Sequence, residues 1–319
     1  MKILHLEYDL YPPEAIKKLE TIATIERFLC AGQEELYAKL SKDRYEVIFT
    51  RLGLMLDEKA IALQPDLQYI VTSTTGLNHI DETAASNKGI TVVSLKGETE
   101  FLANVKSTAE HTWGLLLSLI RNLPGAITHV KTGGWDRQPF MANELDGKTL
   151  GIIGYGRLGK VVARYGAAFG MRVLVHDHNP ENYEGHAIEA VTLKNLLNKS
   201  DVVVLLISWS RENENFMDAE KFSAMKPGAY FINTARGELV DEKALVDALM
   251  QERLKGAAVD VLWNDSSWPG KVNDSTLLLE YFKNHNNVLI TPHMGGYGKD
   301  SIAKTRTFVT EKLLKQLWK

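Results

Sequence analysis

The chain contains a single cysteine, Cys30, among its 319 residues. One thiol cannot build an intramolecular disulfide framework, and this composition is typical of proteins in a reducing compartment. Long apolar runs are also missing, because no stretch approaches the roughly 20 residues that a membrane-spanning helix needs. The first apolar run, residues 2–6, is too short for a signal peptide and predicts a strand. We therefore expect a cytoplasmic protein with no membrane partner.

An excess of either charge is absent as well. The 37 Lys and Arg nearly balance the 40 Asp and Glu, which gives a net charge of −3 and a pI of about 6.3. Proteins that bind nucleic acid or anionic membranes carry basic clusters, so neither partner is predicted. His176 and His178 flank Asp177, but no cysteine or further acid nearby completes a metal site. No metal is therefore predicted.

A glycine-rich turn lies in the middle of the chain. The apolar residues 150–153 lead into Gly154-Tyr-Gly156-Arg-Leu-Gly159, and the residues that follow have helical spacing. Asp177 comes 18 residues after Gly159, at the end of a second apolar run. Strand, glycine turn, helix, strand and acid in this order indicate a dinucleotide-binding unit, whose glycines let the backbone approach a pyrophosphate. Asp177 can bind both ribose hydroxyls and would repel the 2′-phosphate of NADP, so NAD is the predicted cofactor.

Strand-like and helix-like runs alternate on both sides of this turn, which indicates parallel sheets covered by helices. Before the turn, strands are predicted at 2–6, 47–50, 67–74 and 90–94, with helices at 13–22, 33–40, 57–63 and 81–87. After it, six strands are predicted near 150–153, 171–176, 201–207, 229–233, 256–261 and 288–291. A long apolar helix is predicted at 101–123, stopped by Pro124 and Gly125, and a last helix at 300–319.

The predicted fold is α/β, a doubly wound parallel sheet of the Rossmann type inserted in a second, flavodoxin-like α/β domain. The NAD-binding domain is predicted at residues 101–295. Residues 1–100 and 296–319 form the predicted substrate domain, because the last helix follows the final strand and is expected to pack back on the first hundred residues.

Charged residues follow three of the later strands. Arg236 comes just after one strand, Asp260 lies at the end of the next with Asp265 beyond it, and His293 comes after the last. Open α/β sheets place their ligands at these strand ends. A histidine can exchange a proton with a substrate oxygen, a carboxylate can orient it, and an arginine can hold a substrate carboxylate. This set predicts a site for proton-coupled hydride transfer.

Ordered motifs along nearly the whole chain resemble the D-isomer-specific 2-hydroxyacid dehydrogenases, a family that includes phosphoglycerate, glycerate and D-lactate dehydrogenases. The motifs are TSTTGLNHID (72–81), TAEHTW (108–113), LDGKTLGIIG (145–154), NTARG (233–237) and TPHMGG (291–296). The resemblance implies an NAD-dependent oxidoreductase that interconverts a 2-oxo acid and a D-2-hydroxy acid. It also implies a homodimer through the helix that contains residues 110–119.

The resemblance further implies a role for individual residues. Arg236 would bind and polarise the substrate, His293 would be the general acid/base, and Asp265 its carboxylate partner. The amides of Thr75, Gly76 and Leu77 would bind the substrate carboxylate from the other domain. The expected cofactor-binding residues are Gly154, Gly156, Arg157, Leu158 and Gly159 at the pyrophosphate, Asp177 at the ribose, Ser208 at the adenine, Thr234, Ala235 and Asp260 near the nicotinamide, and Asn104.

The sequence departs from the family at two of these positions. Asp265 stands where the family usually has a glutamate, and the stretch 266–275 after it is longer than usual. The shorter side chain requires a closer backbone or a longer hydrogen bond to His293. Ser208 stands where the family often has a proline, which affects the expected adenine pocket but not the chemistry.

Several alternatives stay open at this stage. Arg51 either reaches a phosphate or distal carboxylate of the substrate or has a surface role. His111 is interpreted as a structural or interface residue rather than a catalyst. An NAD(H)-sensing, corepressor-like binding protein on the same fold would keep the same motifs, and an NADP-preferring reductase is disfavoured by Asp177. The identity of the 2-hydroxy acid is not predicted.

Overall fold

The computed structural model describes residues 1–179, 183, 188–265, 268, 272 and 276–318. The chain forms two compact units. The first contains Met1–Val105, Asn264–Asn273 and Tyr297–Lys319, and the second contains Lys106–Trp263 and Asp274–Gly296. Among the helices of the described residues, none has both the length and the apolar character that crossing a membrane requires.

The first unit is built on a five-stranded parallel sheet with the order β2-β1-β3-β4-β5. The strands are β1 (Lys2–His5), β2 (Thr24–Arg27), β3 (Val47–Thr50), β4 (Tyr69–Thr72) and β5 (Thr91–Val93). The helices are α1 (Pro13–Glu20), α2 (Gln33–Lys42), α3 (Glu58–Ala62), α4 (Glu82–Asn87), α5 (Thr99–Leu102) and α13 (Lys299–Leu317). This strand order is that of flavodoxin-like sheets.

Both faces of this sheet are buried, because successive side chains of a strand point to opposite faces. Ile3 and Phe49 belong to a core cluster that also contains Leu313 of α13. Leu4 and Ile48, the alternate residues of the same strands, belong to a second cluster. Strands covered on both faces require apolar runs without alternation, which is the pattern that predicted β1 and β3.

The second unit is built on a seven-stranded parallel sheet with the order β12-β11-β10-β9-β6-β7-β8. The strands are β6 (Thr149–Ile153), β7 (Arg172–His176), β8 (Glu189–Ala190), β9 (Val202–Leu205), β10 (Ala229–Asn233), β11 (Leu254–Val259) and β12 (Val288–Ile290). The order contains the Rossmann sequence of strands, with its reversal point between β6 and β9. The predicted α/β fold class is confirmed.

Seven α-helices accompany this sheet. They are α6 (Ser107–Ile120), α7 (Leu123–Lys131), α8 (Arg157–Ala168), α9 (Leu193–Lys199), α10 (Ala219–Ala224), α11 (Glu242–Met250) and α12 (Leu277–Asn284), counted within the described part of the chain. Four of them, α9 to α12, begin at an Asp or Thr whose side chain accepts a hydrogen bond from a first-turn amide. Such caps satisfy amides that the helix itself leaves unpaired.

Two strands, β2 and β8, were not predicted from the sequence. β2 pairs with β1 at the edge of the first sheet, and its four side chains are exposed or half-buried. β8 has only two residues, both exposed, and pairs with β7 at the edge of the second sheet. Edge strands with exposed side chains need no apolar run, so the pattern that located the buried strands was missing.

The prediction of a single helix at 101–123 was wrong. The structure has α5 and α6 separated by residues 103–106, and α6 ends at Ile120. Asn122 then adopts a left-handed conformation with φ of 46°, and α7 begins with Pro124 in its first turn. Proline is tolerated there because the first amides of a helix have no partner within it. Pro124 therefore starts a helix instead of stopping one.

Candidate active site

The three glycines of the central turn meet different surroundings. A Cβ on Gly154, where φ is +97°, would lie 2.7 Å from the carbonyl carbon of Leu206. A Cβ on Gly159 would lie 2.2 Å from the carbonyl oxygen of Gly154. A Cβ on Gly156 would meet no described atom within 4 Å. The outer glycines are therefore required by the fold itself, whereas the described residues leave the space beside Gly156 open.

Helix α8 begins directly after Gly156, which has an extended conformation and carries no side chain to cap the first turn. The first-turn amides of a helix have no acceptor within the helix, and a helix N-terminus of this kind binds anions favourably. Burial lowers the pKa of Arg157. Leu158 packs against the apolar core of the unit. These features fit a dinucleotide pyrophosphate.

Asp177 follows β7 and is attached to the glycine turn. Its Oδ2 accepts the N–H of Tyr155 at 2.7 Å, and its Oδ1 accepts the N–H of Asn179 at 2.8 Å. The hydroxyl of Tyr183 lies 2.8 Å from both the main-chain nitrogen and the main-chain oxygen of Asp177. The side chain is 7% exposed. The sequence did not indicate these contacts, because Tyr155 is a variable position of the glycine motif and Tyr183 lies outside it.

His293 lies in the loop after β12. Hydrogen bonds join this loop to Asp260, which follows β11. The main-chain oxygen of Asp260 accepts the N–H of His293 at 2.8 Å. Its carboxylate accepts the N–H groups of Met294 at 2.9 Å and Gly295 at 2.7 Å, and the hydroxyl of Thr291 at 2.6 Å. His293 has φ of 50°, a conformation that few non-glycine residues adopt. The hydrogen bonds that the residues on both sides of His293 donate to Asp260 hold the histidine in this conformation.

The carboxylate of Asp260 is 2% exposed. Burial alone would raise the pKa of Asp260, but hydrogen bonds from His111 and Thr291 and from two loop amides lower it. A buried acid with this many donors stays ionised. Asp260 therefore acts as an anionic anchor for the His293 loop.

Arg236 lies in the loop after β10, the strand next to β11. The side-chain amide of Asn233 donates to the carbonyl of Arg236 at 2.8 Å, and its oxygen accepts the N–H of Ala235 at 3.0 Å. The guanidinium donates to the carbonyl of Ala235 at 2.8 Å. A Cβ on Gly237 would lie 2.1 Å from the carbonyl carbon of Leu262. Gly237 therefore allows the loop that carries Arg236 to pass close to the main chain of Leu262.

One family model matches residues 113–295, and its description is "D-isomer specific 2-hydroxyacid dehydrogenase, NAD binding domain". This match covers more than half of the chain. The chain belongs to the D-isomer specific 2-hydroxyacid dehydrogenase family. The predicted family and the predicted cofactor, NAD, are confirmed.

Individual relatives give the same family. The D-3-phosphoglycerate dehydrogenase of Methanocaldococcus jannaschii is 34% identical over 307 residues, 95% of this chain and 55% of the relative. The chain spans about half the length of the curated relatives that it matches. Among solved structures, the D-lactate dehydrogenase of Aquifex aeolicus with NAD and lactic acid is 29% identical with a TM-score of 0.82, over 99% of this chain and 95% of that chain. The NAD-dependent formate dehydrogenase of Staphylococcus aureus with NAD is 26% identical with a TM-score of 0.84, over 99% and 96%.

Helix α6 also contributes polar contacts to this region of the family's NAD-binding domain. His111 Nε2 lies 3.1 Å from Asp260 Oδ1 and 3.0 Å from Thr291 Oγ1. The hydroxyls of Thr112 and Thr234 are 2.8 Å apart. The structural role predicted for His111 did not include contact with the loop of His293, because sequence spacing does not show which strand end a helix faces.

Two predicted residues of the second half of the chain stay predictions. Asp265 belongs to the first compact unit, where its carbonyl accepts the N–H of Trp268 at 3.0 Å. Of the stretch 266–275, which the sequence indicates is longer than usual, only residues 268 and 272 lie within the described part of the chain. Ser208 follows β9, and its carbonyl accepts the side-chain amide of Asn213 at 2.8 Å.

The substrate residues expected in the first unit lie after β3 and β4. The loop 75–77 is shaped by the Thr74 hydroxyl, which donates to the carbonyl of Gly76 at 2.7 Å. Thr75 is exposed and Leu77 is buried. The guanidinium of Arg51 donates to the carbonyls of Leu52 and Cys30, both at 2.9 Å. Asn104 is exposed between α5 and α6. Their roles toward a ligand stay predictions.

Proposed function

We propose that the chain is an NAD-dependent oxidoreductase that interconverts a 2-oxo acid and a D-2-hydroxy acid by hydride transfer. The observation that carries this proposal is the arrangement at one sheet edge. Arg236 and His293 follow β10 and β12, the two neighbours of β11, which Asp260 follows, and the glycine turn follows β6 in the same sheet. Parallel strands bring all these residues to the carboxyl edge, where such sheets bind ligands.

The proposed roles divide between charge and proton transfer. The Arg236 guanidinium binds the substrate carboxylate and polarises the carbonyl. His293 delivers a proton to the substrate oxygen in reduction and removes it in oxidation, with Asp265 as its carboxylate partner. NAD(H), when bound, supplies or accepts the hydride at the substrate C2.

We propose that the dinucleotide binds along the carboxyl edge of the second sheet. The space beside Gly156 and the position of this glycine as N-cap of α8 support its pyrophosphate there. The carboxylate of Asp177, which accepts the N–H of Tyr155 in this turn, is proposed to accept the ribose hydroxyls, because an ionised carboxylate only accepts hydrogen bonds. The proposed cofactor-binding residues are Gly154, Gly156, Arg157, Leu158, Gly159, Asp177, Ser208, Thr234, Ala235, Asp260 and Asn104. The proposed substrate-binding residues are Thr75, Gly76, Leu77 and Arg51.

We also propose a cytoplasmic homodimer, with residues 101–295 as NAD-binding domain and residues 1–100 and 296–319 as substrate domain. The dimer surface expected on α6 extends to α7. Seven of the 14 residues of α6 are buried within its own unit, whereas none of α7 is. The α7 side chains of Leu123, Ile127 and Val130 are 42%, 54% and 51% exposed. Neighbouring apolar side chains of this kind are typical of a protein interface.

The direct test is NADH consumption with a panel of 2-oxo acids, namely hydroxypyruvate, glyoxylate, pyruvate, phosphohydroxypyruvate and 2-oxoglutarate. We expect turnover with at least one of them and, for every member except glyoxylate, whose product glycolate is achiral, the D-hydroxy acid as product. A protein that binds NADH but consumes none with any member would instead be the NAD(H)-sensing binding protein on the same fold. A chiral product analysis that returned the L-isomer would contradict the proposed stereochemistry.

A further inference from the structure

The hydrogen on His111 can be assigned from its neighbours. The hydroxyl of Thr291 donates its proton to Asp260 at 2.6 Å, so only lone pairs of Thr291 Oγ1 remain for His111. The ionised carboxylate of Asp260 also only accepts. Both atoms within hydrogen-bond distance of His111 Nε2 are therefore acceptors. We infer that His111 carries a hydrogen on Nε2 and shares it between Thr291 and Asp260.

This contact joins α6 to the loop that contains His293. A second contact lies one turn earlier on the same helix, where the Ser107 hydroxyl donates to the carbonyl of Gly295 at 2.7 Å. Ser107 and His111 are four residues apart and so lie on one face of α6. The helix therefore contacts the loop on both sides of His293, at Thr291 and at Gly295.

The same helix reaches the loop that contains Arg236. Thr112, next to His111, accepts or donates a hydrogen bond at 2.8 Å with Thr234, two residues before Arg236. Its hydroxyl also lies 2.7 Å from the carbonyl of Thr108. Because both loops are bonded to two adjacent residues of one rigid helix, the helix sets the position of one loop relative to the other.

We propose that His111 is a positioning residue for the reaction, which holds the His293 loop through Asp260 and Thr291. This proposal rests on the proposed function of His293. Without the Nε2 hydrogen, the hydroxyl of Thr291 and the carboxylate of Asp260 lose a donor. The loop keeps its bonds to Asp260 and the contact of Gly295 with Ser107, but it loses its attachment to α6 at Thr291. The imidazole of His293 then samples more positions, so that fewer of them place it within reach of the substrate oxygen.

The test compares His111→Phe with His111→Gln, because phenylalanine keeps a ring of similar size without a donor and glutamine keeps an N–H donor. We expect kcat for the best 2-oxo acid to fall about tenfold in His111→Phe, the loss expected for one hydrogen bond to a charged group. The KM and the affinity for ADP-ribose should change little. Glutamine should restore most of kcat. His285→Phe, at an exposed histidine after α12, is the matched control and should behave as the wild type.

A double-mutant cycle with Thr291→Val separates positioning from general loss of stability. If both residues act through the same contact, the loss in kcat for the double variant should be well below the product of the single losses. A loss in kcat for the double variant equal to the product of the two single losses would overturn the proposal. So would a kcat for His111→Phe equal to that of the wild type. So would a glutamine variant no better than phenylalanine when both are folded by circular dichroism.

Nitrogen-15 NMR of protein labelled at histidine tests the assignment without turnover. We expect the His111 signals, identified by their absence in His111→Gln, to show a hydrogen on Nε2. A spectrum with Nε2 unprotonated would refute the contact even if the enzyme were active. A wild-type protein that gave the expected spectrum but reduced no 2-oxo acid would instead refute the proposed function and leave the contact standing.

Discussion

Replacement of Gly156 by alanine should separate folding from dinucleotide binding. The added Cβ meets no described atom within 4 Å, and the backbone at Gly156 has φ of −78° and ψ of −153°, which alanine can adopt. The free energy of unfolding should therefore change by no more than about 0.5 kcal/mol. The same methyl group would occupy the space in which a pyrophosphate approaches the backbone.

The expected loss of affinity follows from the cost of an extra methyl group in a close contact. Overpacking by one such group costs about 1–3 kcal/mol. At about 1.4 kcal/mol for each factor of ten, the Kd of NADH should rise roughly 5- to 150-fold. The rise should be similar for NADH and ADP-ribose, because both carry the pyrophosphate.

Urea denaturation and fluorescence titration with NADH measure the two quantities on the same variants. Gly159→Ala is the opposite case, because its Cβ would lie 2.2 Å from the carbonyl oxygen of Gly154 and folding itself should suffer. Gly32→Ala, at an extended glycine before α2 with no described neighbour within 4 Å, should change neither quantity appreciably. A stable Gly156→Ala variant that binds NADH as tightly as the wild type would refute the assignment of the pyrophosphate to this turn.

Two further predictions concern carboxylates. Asp177→Ala should weaken NADH about tenfold or more, because the ribose acceptor and the partner of a turn amide are both lost, while NADPH weakens less since a negative charge is removed. Equal ratios of the two Kd values in variant and wild type would contradict this. Burial alone would raise the pKa of Glu26, but hydrogen bonds from Lys2, Lys39 and Tyr45 lower it from 4.5 to about 2. Glu26→Gln should therefore cost about 1 kcal/mol at pH 7, and in urea titrations this difference should vanish as the pH falls from 4.5 to 2.

The buried parts of the fold were predictable from the sequence. Residues 47–50 and 150–153 are apolar without alternation, the pattern of strands covered on both faces, and the structure has β3 and β6 there. The glycine motif was equally informative, because two of its glycines fill backbone positions that exclude a Cβ. Local chemistry determines these features, so local sequence shows them.

Features that depend on distant parts of the chain were not predictable. The edge strands β2 and β8 are defined by their neighbours, and their own residues carry no apolar signal. The contact of His111 with Asp260 joins residues 149 positions apart. Only the packing of α6 in its unit brings them together. The sequence indicated the charged residues proposed for the site from their residue types. It did not indicate the hydrogen bonds that orient them.

The most direct measurement of the central claim is the turnover of a His293→Ala variant with the best 2-oxo acid and NADH. The variant must first be shown to be folded and to bind NADH as the wild type does. Loss of the general acid should lower kcat by about 10²- to 10⁴-fold. A folded, NADH-binding variant with turnover near that of the wild type would contradict the account.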